Sequence, residues 1–172
     1  MPKDSVIKSF EPIAGPDCRI LILGTMPGNE SISSEQYYGH PDNIFWDIII
    51  RTFKDVGCEE DSTKVSYEEK KALLLSNQVG LWDVLQFCNR EGNLDSAIRN
   101  EIKNDFGDFF ADHVNVTTLI FNGQKAEKYF ESCFKQLTKA HTLTKLILPS
   151  TSSTHKLNPF TKLRLWQQAL RM

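Results

Sequence analysis

Short apolar runs alternate with longer stretches of helical periodicity along this chain, and that alternation limits the folds open to it. The runs are rich in Leu and Ile and end in Gly, Asn or Pro, as strands buried on both faces of a parallel sheet do. They are Arg19–Leu23, Leu119–Phe121, Leu146–Leu148 and, as a weaker fourth candidate, Gly80–Leu85. These segments predict a short, mainly parallel sheet.

The stretches between the runs predict helices. Ser66 and Glu69 fit a capping box, with Ser66 as the N-cap of a helix that leads into Lys70–Ser76. Further stretches with apolar residues three and four positions apart are Asn43–Phe53, Asp105–His113, Gln124–Phe134 and Pro159–Leu170. The alternation of strands and helices predicts an α/β fold, a three-layer α/β/α sandwich in a single domain over residues 1–172.

The charge balance argues against a protein that coats nucleic acid. The formal net charge is -2, whereas non-specific affinity grows with the number of phosphates that Lys and Arg neutralise. A local footprint on a few phosphates stays open, since a C-terminal stretch contains Lys156, Lys162, Arg164 and Arg171. The same four residues equally fit a solvated helix face.

No segment has the roughly 20 consecutive apolar residues of a membrane span, and the N-terminal residues lack the apolar stretch of a signal peptide. The four cysteines are scattered, without the close spacing of a zinc or iron–sulfur site. We therefore expect a cytoplasmic protein with reduced thiols and no metal. The segment most like an inserted loop is Cys58–Lys64, which is polar and acidic.

The residues that follow the predicted strands are polar and rich in Gly and Pro. Because ligands of open parallel sheets bind beyond the carboxyl ends of the strands, these loops are where function is expected. They begin at Gly24 (GTMPGNES), Asn122 (NGQK) and Pro149 (PSTSSTH). We expect the three loops to converge on one site.

One segment before a predicted helix is unusually dense in aromatic residues. It runs from Tyr37 to Trp46 (YYGHPDNIFW) and contains four aromatics, a His and an amide. Such a composition fits a flat ligand that can stack on aromatic rings.

GTMPGNES followed by QYYGHPDNIFW resembles the first motif of the uracil-DNA glycosylase superfamily, and most of all its hypoxanthine-DNA glycosylase branch. PSTSSTH resembles the second motif, and FNGQKA and GLWDVL resemble segments found at similar places. The likeness runs from Arg19 to the C-terminus. It implies a monofunctional enzyme that hydrolyses the N-glycosidic bond of a deaminated base, with hypoxanthine the first expectation, after the nucleotide is flipped out of DNA.

Two positions depart from the uracil-removing branches. Their first loop carries an Asn or Asp that positions or activates water, but Met26 stands there in this chain, and a thioether can do neither. Their second motif opens with a His, whereas this chain has Leu148. The first difference agrees with the hypoxanthine branch, whose catalytic amide is the Asn of Asn-x-Phe-Trp.

The resemblance implies roles for individual residues. The catalytic residue is Asn43, which would orient the attacking water. Base-binding residues are Gly24, Thr25, Met26, Pro27, Tyr38, Phe45 and Asn122. DNA-binding residues are Ser31, Ser150, Thr151, Ser152 and His155. The residues alone leave structural roles open: Asn43 suits a helix N-cap, Phe45 a core position, and Asn122 a turn.

Three other functions remain open at this stage. The first is a uracil- or mismatch-specific DNA glycosylase, and the second a hydrolase in which Ser150 or Ser152 is the nucleophile and His40 or His155 the base. The third is a catalytically silent module that binds DNA or nucleotides on the same fold. For the glycosylase we expect no cofactor, and a monomer whose active face meets DNA. No role is predicted for Asp83 beyond shaping the pocket or forming a salt bridge.

Overall fold

A computed structural model describes residues 6–54, 61–134, 137 and 141–172. Its strands are β1 (Val6–Lys8), β2 (Ile20–Gly24), β3 (Val79–Asp83), β4 (Leu85–Asn89), β5 (Arg99–Lys103), β6 (Thr118–Asn122) and β7 (Thr144–Leu148). Its α-helices are α1 (Asn29–Ser34), α2 (Phe45–Phe53), α3 (Tyr67–Ser76), α4 (Phe106–Asp112), α5 (Gln124–Phe134) and α6 (Pro159–Leu170). Short 3-10 turns cover Ser62–Lys64 and Asp95–Ala97.

The central sheet is parallel, in the order β3-β2-β6-β7. This confirms the α/β fold and the predicted parallel strands. The register aligns Gly24 with Asp83 and Asn122 with Leu148. The last residues of four neighbouring strands therefore lie along one edge of the sheet.

Side chains alternate between the two faces of this sheet, and each face has its own core. Leu21 and Phe121 belong to one core with residues of α4 and α5, such as Phe106 and Phe130. Ile22 and Ile120 belong to the other core, with residues of α2, α3 and α6. Helices on both faces of the sheet give the predicted three layers.

Gly80–Leu85 is not one strand, and the prediction was wrong there. The parallel strand ends at Asp83, and Leu85 begins β4, which belongs to a separate antiparallel sheet of order β1-β4-β5. Between them, the Val84 amide donates to the Gly24 carbonyl at 2.8 Å. Val84 thus closes the end of β2 while the chain turns away to the second sheet, and neither this turn nor the small sheet was predicted.

The helix predictions are confirmed with small shifts at the ends. Ser66 and Glu69 form both hydrogen bonds of the capping box. The second helix begins at Phe45 rather than at Asn43. Pro159 is the first residue of α6, behind the N-cap Asn158. Of the predicted loop at 58–64, residues 58–60 lie outside the described part, and the rest forms a 3-10 turn.

Within the described ranges, every helix is too short or too polar to cross a bilayer. The same ranges contain no group of three His, Cys, Asp or Glu side chains arranged to hold a metal ion.

Candidate active site

A cleft of about 350 Å³ opens at the carboxyl edge of the parallel sheet. Two of its walls are the predicted loops, which we call the first loop (residues 24–31) and the second loop (residues 149–155). All the predicted site residues line this cleft except Phe45 and His155. A smaller crevice beside α4, of about 280 Å³, contains none of them.

Gly24, at the end of β2, lies close to the side chains of Asp83 and Tyr38. A Cβ atom at this position would lie 2.5 Å from Oδ1 of Asp83 and 2.7 Å from Oη of Tyr38. Only glycine leaves room for these two polar groups beside the strand end. The carboxyl and the phenol hydroxyl therefore both lie next to Gly24 in the cleft.

Asp83 is the most perturbed acid in the cleft. It is 3% exposed, and its Oδ2 atom has no hydrogen-bond partner among the described residues. Burial raises the pKa of the carboxyl to about 7, and the nearby Asp95 adds to this rise while Arg90 opposes it. Asp83 can therefore present a neutral, hydrogen-bonding carboxyl group near pH 7.

Tyr38 supplies the second polar group at this point. Its hydroxyl is buried and makes no hydrogen bond of normal geometry within the described ranges. Burial raises the pKa of the phenol, and Asp83 raises it further, although the Asn122 side chain opposes the shift. The phenol stays protonated, and its O–H is free to donate to a ligand.

Phe45 lies beneath Tyr38 instead of lining the cleft. The two rings stack with centroids 4.1 Å apart, and Phe45 has no exposed surface. Tyr38 itself has a left-handed backbone, with φ of 53°. Phe45 was expected to touch the base, but in this arrangement it supports the Tyr38 ring.

Asn43 stands at the mouth of the cleft, just before α2. Its Oδ1 accepts the Phe45 amide hydrogen at 3.0 Å in a local turn, but the N-cap of α2 is Ile44 and not Asn43 as the sequence suggested. The next residue, Ile44, donates its amide to the Thr151 carbonyl at 3.2 Å. This bond fixes the start of α2 against the second loop.

Asn122, at the end of β6, is held in one orientation by Thr151. Its Oδ1 accepts the Thr151 amide hydrogen and its Nδ2 donates to the Thr151 hydroxyl, both at 3.0 Å. One lone pair of Asn122 remains for a ligand, whereas its amide group also lies close to the Tyr38 hydroxyl. Thr151 is 1% exposed, so it positions Asn122 and α2 and does not reach a phosphate in this arrangement.

The predicted phosphate-binding serines differ in how far their side chains are buried. Ser31 is buried and its Oγ accepts the Gly39 amide hydrogen at 3.0 Å, which holds the turn after Tyr38. Ser150 and Ser152 line the cleft from the second loop. His155 is exposed beyond the cleft rim.

Lys162 does not belong to an exposed basic rim, contrary to one reading of the sequence. It is 2% exposed, and its ammonium group donates to the carbonyls of Ser152 and His155 at 2.9 and 3.1 Å. Burial lowers its pKa. Lys162 thus fastens the second loop to α6.

A third wall of the cleft was not predicted. It is formed by Asn93, Leu94 and Asp95, which follow β4 and line the same cleft as the two loops. No sequence pattern indicated this wall, because it is a polar loop that follows a strand of the unpredicted sheet. Asp83 did carry a signal, because it is an acid at the end of an otherwise apolar run.

The chain matches the family described as the uracil DNA glycosylase superfamily over residues 12–170. It belongs to this superfamily. The convergence of the two motif-bearing loops on one cleft agrees with the expectation, drawn from the parallel sheet, that the loops after its strands meet at one site.

Two similar proteins match this chain over most of its length and of their own. A Methanosarcina barkeri protein named hypoxanthine DNA glycosylase is 32% identical over 164 residues, covering 95% of this chain and 98% of the relative. One of the same name from Methanosarcina acetivorans is 34% identical over 149 residues, covering 87% and 88%. The solution NMR structure of an M. acetivorans protein, titled provisionally as a uracil DNA glycosylase, superposes with a TM-score of 0.80 at 30% identity, covering 97% and 98%.

In the part of the chain that the structure describes, Ser150 and Ser152 do not form the hydrogen bonds of a serine hydrolase. Ser150 Oγ accepts the Ser152 amide hydrogen, and Ser152 Oγ lies 2.9 Å from the Thr154 hydroxyl. Nδ1 of His40 accepts the Asp42 amide hydrogen. Among the described residues neither serine is hydrogen-bonded to a histidine, so the base that a nucleophilic serine needs is missing.

Proposed function

We propose that this protein removes hypoxanthine from DNA by hydrolysing its N-glycosidic bond. The observation that carries the proposal is the cleft that joins Asn43 to the unsatisfied polar groups of Asp83 and Tyr38. The names of the two archaeal relatives support hypoxanthine as the base. The enzyme would act as a monomer in the cytoplasm.

The floor of the cleft suits the edge of a flipped base. Hypoxanthine presents an N–H donor beside a carbonyl acceptor, and a neutral carboxyl can accept from the first and donate to the second. Asp83 is a buried carboxyl of this kind, and the Tyr38 hydroxyl adds a donor. Bound base would satisfy polar atoms that otherwise lack partners.

Asn43 would orient the attacking water. Its Oδ1 already accepts one hydrogen bond from Phe45, which fixes the direction of the amide, and its second lone pair can accept from water. The transition state is an oxocarbenium-like sugar, so water and departing base must both be held. No lysine lines the cleft among the described residues, which supports hydrolysis without a Schiff base and without strand cleavage.

The experiment compares release of free base from end-labelled duplexes that carry one deoxyinosine, deoxyuridine or deoxyxanthosine. Asn43→Ser keeps a hydroxyl that can accept the Phe45 amide hydrogen but removes the amide. We expect it to lose at least about a hundredfold in hypoxanthine release, with a melting temperature close to that of the wild type. Asn115→Ser, at an exposed position outside the cleft, is the matched control.

The outcomes separate the alternatives. Hypoxanthine release that Asn43→Ser abolishes supports both the reaction and the residue. Release of uracil alone would move the enzyme to a uracil-specific function. Wild-type protein that releases no base would favour a silent module that binds DNA or nucleotides.

A further inference from the structure

Asn43 follows a tight turn that begins at His40. The Asn43 amide donates to the His40 carbonyl at 3.0 Å, which closes a four-residue β-turn with Pro41 at its second position. The ring of Pro41 fixes the backbone φ at that position. Directly after the turn, the Ile44 amide donates to the Thr151 carbonyl at 3.2 Å. The backbone is therefore held on both sides of Asn43.

The side chain of His40 closes the same turn a second time. Its Nδ1 atom accepts the Asp42 amide hydrogen at 3.1 Å. Asp, Asn and Ser are the usual residues at the first position of such turns, because their side chains accept backbone amide hydrogens a few residues on. Nδ1 of a histidine occupies the place in the side chain that Oδ1 occupies in asparagine, so it can do the same. The imidazole thus stiffens the turn that leads to Asn43.

An acid on the first loop faces the other side of the imidazole. Nε2 of His40 lies 3.9 Å from Oε1 of Glu30, and Oε2 of Glu30 accepts a hydrogen from the Asn93 side chain at 3.2 Å. A negative charge beside Nε2 favours the neutral ring form that has its hydrogen on Nε2, and this form leaves the lone pair of Nδ1 for the Asp42 amide. Glu30 thereby connects the turn to the third wall of the cleft.

We propose that His40 is a positioning residue, which fixes this turn so that the Asn43 amide is aimed at the attacking water. The Asn43 side chain has a bond of its own, from Oδ1 to the Phe45 amide, but its direction also depends on the backbone that precedes it. Small displacements of a group that orients a reactant cost much of the rate. His40 acts through Asn43 and contacts neither base nor water. The inference rests on the proposed glycosylase function and adds a residue to it.

The test measures the single-turnover rate of hypoxanthine release from a deoxyinosine duplex. His40→Ala removes the Nδ1 acceptor, so it should lower this rate at least about tenfold. Its affinity for a duplex with a stable abasic analogue should stay within about twofold of the wild type, because the loss concerns the chemical step. His40→Asn supplies Oδ1 in place of Nδ1 and should restore most of the rate. His141→Ala, which truncates an exposed histidine outside the cleft, is the matched control and should equal the wild type.

A double variant separates a role through Asn43 from a general one. His40→Ala should slow the Asn43→Ser enzyme less than about twofold, because the amide that the turn positions is already gone. The same loss in both backgrounds would overturn the proposal while leaving the proposed function intact. So would an unchanged rate in His40→Ala, or a rate of His40→Asn as low as that of His40→Ala.

A second measurement needs no catalysis. NMR of the free protein follows the exchange of the Asp42 and Asn43 amide hydrogens with solvent. His40→Ala should speed this exchange several-fold, because a turn without its side-chain bond opens more often, whereas His40→Asn and His141→Ala should keep it near the wild-type rate. Equal exchange in the wild type and His40→Ala would overturn the proposal. If the wild type releases no base at all, the proposed function fails, and the exchange alone decides whether His40 holds the turn.

Discussion

Asp83 lines the cleft, but the burial of its carboxyl lowers the stability of the folded protein at neutral pH. The carboxyl is buried beside Gly24 and Tyr38, and its pKa rises from 3.8 to about 7. In the unfolded chain the group ionises near its ordinary value, so folding takes up a proton between about pH 4 and 7. A carboxyl pKa raised by folding makes the protein less stable as the pH rises through this window.

We expect Asp83→Asn to be more stable than the wild type at pH 8. The gain should be close to zero at pH 4, grow up to pH 7 and then level off, reaching at most about 4 kcal/mol. Urea denaturation at a series of pH values measures it. Asp112→Asn, at an exposed position on α4, is the control and should show no such growth. A gain that falls as the pH rises would contradict the assigned cause.

Individual residues illustrate what the sequence could and could not predict. The motif match put Asn43, Tyr38 and Asn122 at one site, and the structure brings them to one cleft. The burial of Lys162 was not predictable, because a lysine on an amphipathic helix has the same local pattern whether its ammonium meets water or two loop carbonyls. That difference is made by the path of the second loop, which no periodicity describes.

At the scale of elements, α6 and the second loop form one unit through Lys162. Replacing it by Met keeps the length of the side chain but leaves the carbonyls of Ser152 and His155 without their donor. We expect Lys162→Met to lower the free energy of unfolding by about 1–3 kcal/mol and to weaken DNA binding through a looser loop.

Denaturation in urea and binding to an abasic-analogue duplex measure the two effects. Lys128→Met, at an exposed position on α5, should change neither by a comparable amount. If Lys162→Met kept wild-type stability, the two hydrogen bonds would contribute nothing to the fold.

Elements were predictable where the local pattern is strong. The strands β2, β6 and β7 follow from apolar runs, and α3 from its capping box, although β7 lies at the sheet edge and is not buried on both faces as predicted. The antiparallel sheet was not predictable, because GLWDVLQFCN reads as continuous strand-forming sequence. Only the hydrogen bonds of Val84 and Leu85 to Gly24 and Thr25 reveal that the chain leaves one sheet there and enters another.

For the whole molecule, the charge limits how DNA can be held. A net charge of -2 leaves no broad field to attract a duplex. Lys162 is hydrogen-bonded to the second loop, so it does not contact phosphates. Phosphate contacts are therefore made by a few other cations and by the hydroxyls near the cleft. Affinity should therefore come mainly from the flipped base and the local contacts around it.

We expect a shallow salt dependence of binding to a lesion duplex. With about two or three phosphates neutralised, the slope of log K against log salt should be about -2 to -3.

Lys156, exposed directly after the second loop, is the cation best placed to contribute. Lys156→Gln should make the slope shallower by about one and weaken binding to damaged and undamaged DNA alike. Lys64→Gln, exposed outside the cleft, should leave the slope unchanged. A wild-type slope near -8 would mean that the duplex is gripped along a much longer basic surface than the cleft rim provides.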